Sequence, residues 1–365
     1  MELKAKNRLL SYDVIRIVAI FLVLLVHVSA YIVLYNSEPT TQEFIFGNIV
    51  NGISRAGVPL FLMLTGALLL NEDRKFDAKT FYKKSFTWMA LLMVGWTVAY
   101  GAFYAIAFPM LHHNPVDWAT VGQSMWNYAL KLPTMYPHLW YMFMVVGLYL
   151  MIPVLRLFVK RENKSYILGI IIAFVVAQLA VNTFNIRMTG WTFSLTTIVN
   201  KFHVEPATGF VGYVLTGWYV TNFKIAKRKR LALYGLSLAA VVFATSMVQM
   251  QIKTTPGVRG NFYEPLTLTA FLYGLGLFLL LYTLCGEKQT KNRLTVLLSQ
   301  DAFGVYIIHA VWLELLTMWF PYWEFPVKNA VLYMLLLFLA VTVVSYLTVW
   351  LVSLIPGVKK IFYIK

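Results

Sequence analysis

Apolar residues fill the chain in blocks of about twenty, broken by short charged stretches, and that alternation predicts transmembrane helices. The blocks fall at roughly 14–35, 45–70, 86–108, 138–159, 165–184, 208–222, 231–251, 264–285, 302–320 and 329–354. The sixth, GFVGYVLTGWYV, is short and interrupted by glycine, so a tilted or partly irregular segment is expected there. The pattern predicts an all-α polytopic membrane protein of about ten transmembrane helices, organised as a single membrane domain over 1–365 with no separate soluble domain.

The basic residues between the blocks give this topology a sign. With the amino terminus in the cytoplasm, the inner connections hold 23 Lys and Arg and the outer ones 6; Arg16 and Arg55 inside the blocks complete the 31. One missed helix would scramble this asymmetry, so both termini are expected on the cytoplasmic side. The net charge of +16 is then a positive-inside signal rather than a footprint for nucleic acid.

Composition adds two exclusions. Apolar residues make up 59% of the chain and charged ones 13%, which leaves lipid as the solvent for much of the surface. The single Cys285 excludes an intrachain disulfide and a cysteine-based metal site. The first block follows Lys4, Lys6 and Arg8 as a signal peptide would, but it lacks a small-residue cleavage site and carries Arg16, so a retained helix is expected. The outer stretches 109–137 and 185–207 carry Trp118, Trp126, Tyr128, Tyr136, Trp191 and His203. These are either interfacial aromatic belts or platforms for sugar rings.

Candidate chemistry lies in the polar residues inside the blocks, because an Arg at mid-membrane costs about 3 kcal/mol and needs a partner or a task. Asp13, Arg16 and His27 share the first block. Arg16 can snorkel or pair with Asp13 one turn below. His27 lies 11 residues beyond Arg16, roughly 16 Å along the helix and on the same face. Arg55, in the descending second block, falls at a depth similar to that of His27, roughly 20 Å from the inner end. Either the pair forms a site or each residue bonds separately to a neighbouring carbonyl or hydroxyl. His138 lies near the outer face; His309 and Glu314 lie within the ninth block, and either of these two can orient His27 or bind substrate, while an unpaired Glu314 would simply be protonated. No HExxH, GxSxG, Walker loop or clustered ligand set appears, so metal and serine-hydrolase chemistry lack support and no metal is expected.

These residues also carry a resemblance. Asp13-x-x-Arg16 followed by His27, SRAGVPLFLMLTG (54–66), HLWYMF (138–143, with Trp140) and GVYIIH (304–309) resemble blocks of the acyltransferase-3 family of membrane O-acyltransferases, in the family's order. The likeness runs over nearly the whole chain and is closest to the stand-alone surface-polysaccharide O-acetyltransferases. It implies acetyl transfer from cytosolic acetyl-CoA to a hydroxyl of a cell-surface glycan or its lipid-linked precursor, in the inner membrane of a bacterium. It also implies essential roles for Arg16 and His27, and by the second block for Arg55.

On this reading acetyl-CoA phosphates meet Lys83, Lys84 and Arg16, and Asp13, His138, Trp140, His309 and Glu314 complete the substrate site. His27 serves as general base or acyl carrier, and Arg55 stabilises the oxyanion. The rival is a transporter or flippase for a polysaccharide or its lipid carrier, because intramembrane Arg and His also mark transport pathways. A sensory membrane module is a third reading. The sequence is silent on oligomeric state.

Overall fold

The structure, a computed structural model, describes residues 8–35, 38, 40–126, 138–180, 209–254, 261–324 and 329–355. Among these the only regular elements are helices, and the one β contact is an isolated bridge between Leu9 and Gln289. In chain order the helices are α1 (Leu10–Tyr35), α2 (Gln42–Ser54), α3 (Gly57–Leu69), α4 (Ala78–Leu111), α5 (Trp140–Phe158), α6 (Lys164–Phe174) and α7 (Val211–Asn222). They continue with α8 (Lys227–Thr254), α9 (Leu268–Cys285), α10 (Arg293–Trp319) and α11 (Ala330–Ser353). Every expected block coincides with helix as far as it is described (181–184 of the fifth and 208 of the sixth lie outside the described residues), and among the described residues eight segments are long and apolar enough to cross a membrane.

Their outer surface is apolar, as lipid contact requires. On α11 the side chains of Leu335, Leu339, Val343 and Leu347 recur every four residues and are exposed, while Tyr333, Leu337, Val341 and Ser345 face inward. Water would not tolerate such a stripe; a hydrocarbon solvent does.

Three details differ from the pattern read off the chain. The second block is two helices, α2 and α3, broken at Arg55 and Ala56. Pro59 lacks an amide hydrogen, and its ring would collide with the carbonyl of Arg55 four residues earlier. The helix therefore restarts, with the Leu60 amide bonded to the Ala56 carbonyl at 2.9 Å. The third block runs well beyond 86–108, to Ala78–Leu111, through two π turns at Tyr82–Phe86 and Phe103–Ala107. The second π turn is closed by the Phe108 amide bonded to the Phe103 carbonyl, just before Pro109.

The sixth block is a regular 12-residue helix, not an irregular one. Its glycine serves packing: a Cβ on Gly217 would meet the Met63 carbonyl oxygen at 1.8 Å, and one on Gly66 would meet the Val214 oxygen at 1.8 Å. Backbone touches backbone at two reciprocal points between α3 and α7. Around that contact Leu60, Leu62, Tyr213 and Trp218 are fully buried.

Although first in sequence, α1 lies at the centre and packs against α2, α3, α9, α10 and α11. Gly57, at the start of α3, sits within 3.1 Å of the Ala19 carbonyl and the Val23 amide once a Cβ is added, so only glycine lets the break approach α1 so closely. The helix carrying Arg16 and His27 is thereby walled in by elements that include α2 and α3, which flank Arg55, and α10, which carries His309 and Glu314.

Candidate functional site

Arg16 and His27 both turn toward α10. The Arg16 Nη1 donates to the Ser299 hydroxyl at 3.0 Å, and the His27 and His309 rings lie 5.2 Å apart. The steps between these contacts are 11 residues on α1 and 10 on α10. Two parallel helices thus hold a polar seam of about 16 Å between them. Arg16 and His27 both keep partial exposure.

At the Arg16 end the centre is Asp13. Its buried carboxylate accepts from Arg8 Nη2 at 2.5 Å and Nε at 3.1 Å, and from the hydroxyls of Ser299 and Thr290 at 2.6 Å each. Arg16 stands 3.8 Å away. The segment before α1 is drawn to these partners by backbone bonds from Leu10 to Lys288 at 2.7 Å and from Thr290 to Arg8 at 2.9 Å. Asp13, expected among the substrate contacts, spends its acceptor capacity on internal donors. It fixes the seat of Arg16 instead.

At the His27 end three imidazoles meet. The His138 ring, at the start of α5, lies 6.3 Å from that of His27 and 5.3 Å from that of His309. His309 is completely buried, and its Nδ1 lies 2.6 Å from the Tyr306 carbonyl oxygen. A carbonyl only accepts, so Nδ1 carries the hydrogen, and when the ring is neutral its lone pair is at Nε2. The Nε2 atoms of His138 and His309 are buried and make no hydrogen bond among the described residues. The Tyr306 hydroxyl donates to the His138 carbonyl, and Tyr100 donates to the Ile307 carbonyl at 2.6 Å while packing 5.0 Å from the His138 ring. Among the described residues no group of three His, Cys, Asp or Glu is arranged to hold a metal ion.

Arg55 enters from the break between α2 and α3. The Asn51 side-chain oxygen accepts from its Nε at 3.0 Å and its Nη2 at 2.6 Å, and the guanidinium stacks 4.7 Å from the centre of the Tyr263 ring. It lies within electrostatic reach of His27. The helix break is tied to the turn of α1 that carries His27 through Asn51, whose amide donates to the Val26 carbonyl and the Ser29 hydroxyl.

Other expected site residues lie elsewhere. Glu314 faces Tyr104, whose hydroxyl is 3.5 Å from its carboxylate, and takes no part in the imidazole cluster. Trp140 packs its ring 5.7 Å from Phe210 and 6.2 Å from Tyr141. Lys83 and Lys84 are exposed on the first π turn of α4. Trp118 and Trp126 are exposed, while Tyr128, Tyr136, Trp191 and His203 lie outside the described residues. Asn51, Ser299, Thr290, Tyr100 and Tyr306 were not singled out by sequence. Asn51 precedes Arg55 by four residues, a helical neighbour spacing that could have flagged it.

A buried cluster of imidazoles, an arginine at a helix break and a second arginine along one seam is an arrangement for moving a proton or an acyl group in a water-poor site. A family model described as an acyltransferase domain matches residues 9–350. No curated protein and no solved structure matches the chain.

Proposed function

The chain belongs to the acyltransferase-3 family and is a membrane acyltransferase; from that premise we propose that it moves an acetyl group from acetyl-CoA to a hydroxyl of a cell-surface glycan or its lipid-linked precursor. The observation that carries this reading is the seam between α1 and α10. It links Arg16 at one end to His27 at the other, with Arg55 tied through Asn51 to the turn of α1 that carries His27.

In this mechanism acetyl-CoA approaches from the Arg16 end in the cytoplasm of a bacterium whose inner membrane holds the protein. Its phosphates meet Arg16 and the exposed Lys83 and Lys84, and its long pantetheine arm follows the seam. His27 acts on the reacting carbonyl as base or acyl carrier. Arg55, held in orientation by Asn51 and Tyr263, stabilises the oxygen that becomes negative in the tetrahedral state.

The test is His27→Ala in cells. Alkali-labile acetate on envelope glycans should disappear while the variant accumulates in the membrane at the normal level. Undiminished glycan acetylation in that variant would falsify the assignment.

A further inference from the structure

The imidazole cluster holds more bases than one transfer step uses, and its members differ. His27 is partly exposed and shares the α1 face with Arg16, whereas His309 is completely buried. Its orientation is set by the Nδ1 bond to the Tyr306 carbonyl at 2.6 Å. The remaining nitrogen, Nε2, lies at the opposite corner of the ring, buried and without a hydrogen bond among the described residues. A buried acceptor left open in this way is costly unless a ligand supplies the donor. The ligand that completes it is an O–H or N–H group rather than an anion.

Resting on the acetyl-transfer reading, we propose that the two histidines divide the reaction: His27 carries the acetyl group, and His309 is the general base that takes the proton of the acceptor hydroxyl. A base benefits from one ring nitrogen being anchored so that the other is aimed, as His309 is. A carrier must be reachable by the donor, as the partly exposed His27 is. Their ring centres are 5.2 Å apart, so both can act on one tetrahedral carbon.

The first step forms a bond between a His27 nitrogen and the acetyl carbon and breaks the C–S bond, so that CoA leaves as the thiolate. In the second, the acceptor oxygen bonds to the acetyl carbon while its proton passes to His309 Nε2. The C–N bond then breaks and its electron pair returns to His27. The proton on His309 finally neutralises the thiolate through solvent, so thioester and alcohol become ester and thiol.

The experiment uses the purified full chain with acetyl-CoA alone, together with glycan acetate measured in cells. Wild type should release about one thiol per chain in a rapid burst and acquire an acetyl adduct visible in its intact mass; His27→Ala should do neither. His309→Gln should keep the burst within about twofold and accumulate the adduct, yet lose glycan acetylation by at least about a hundredfold, the scale of general-base catalysis. His309→Asn is the second variant, because its amide nitrogen replaces Nδ1 as donor to Tyr306 while nothing replaces Nε2. Thermal unfolding identifies which variant is folded. Loss of the burst together with transfer in a folded His309 variant overturns the division of labour and leaves the acyltransferase reading standing. Retained glycan acetylation in such a variant also overturns it. Absence of acetyl-CoA consumption by wild type removes the acetyl-transfer reading, and this proposal with it.

Discussion

Asn51 ties Arg55 to the turn of α1 that carries His27. Its side-chain oxygen accepts both Arg55 bonds, while its amide nitrogen donates to the Val26 carbonyl and the Ser29 hydroxyl, each at 3.0 Å. One buried amide therefore holds the cation at the helix break in register with the backbone beside the imidazole.

The consequence is a kinetic one. Asn51→Leu removes the acceptor for the guanidinium and the anchor on α1, and misplacing a charge-stabilising group by about 1 Å costs roughly a hundredfold in rate. Glycan acetate per unit of membrane protein should fall by about that factor. Asn51→Asp keeps the oxygen that faces Arg55 but loses the donors to Val26 and Ser29, so it should recover part of the activity. Equal activity of the Leu and Asp variants would refute a positioning role.

Asp13 supports a different kind of prediction, one about stability. Its carboxylate has four short donors and is 4% exposed in the side chain. Asp13→Ala strands Arg8, Thr290 and Ser299 and should destabilise the protein by about 2–3 kcal/mol, since bonds to a charged partner are worth about 1.5–3 kcal/mol. Thr290→Ala removes one neutral donor and should cost about 1 kcal/mol. The check is thermal unfolding in detergent; if Asp13→Ala unfolds with wild type, the carboxylate is not the anchor of this end.

Much of this was legible in the chain. Block length gave the helices, and the spacing of Arg16 and His27 gave their shared face and separation on α1, because both follow from a fixed rise per residue. Pro59 was also visible, and with it the break at Arg55, yet a run of apolar residues reads as one span when the proline is not weighed against the carbonyl four residues back. What the chain did not disclose was partnership across elements. Ser299, Thr290 and Tyr306 become site residues only when α10 is laid beside α1. His309 and Glu314 looked alike in sequence, five residues apart on one helix. Rotation about the helix axis sends one to His27 and the other to Tyr104.

The turn after α3 should respond to pH. Arg161 donates to Asp73 at 2.7 and 3.1 Å, its amide donates to Glu72 at 2.7 Å, and the guanidinium holds the Asp73 carboxyl below the usual aspartate range. A depressed carboxylate contributes stability above its unfolded pKa and loses it as pH falls through the lower, folded value. Protection of the amides of 71–77 from hydrogen exchange, corrected for intrinsic rates, should therefore be constant near neutrality and decline below about pH 4. The pair is solvent-exposed, so the loss should be local. Asp73→Asn should show the reduced protection already at pH 7; wild-type protection there would dismiss the pair as incidental.

The contact between α3 and α7 makes the most direct steric prediction. A methyl at Gly217 would overlap the Met63 carbonyl, and one at Gly66 the Val214 carbonyl, both at 1.8 Å. Backbone cannot swing aside as a side chain does, so the helices must separate and the packing between buried Leu62, Tyr213 and Trp218 loosens. Gly217→Ala and Gly66→Ala should each destabilise by about 1–3 kcal/mol, the range for overpacking a tight interior. Gly147, within α5, has no heavy atom within 4 Å of an added Cβ. Gly147→Ala should thus fall within about 1 kcal/mol of wild type, on the favourable side, because alanine is the better helix former. Unfolding midpoints of the three variants decide the matter: Gly217→Ala as stable as Gly147→Ala would mean that α7 does not rest backbone-to-backbone on α3.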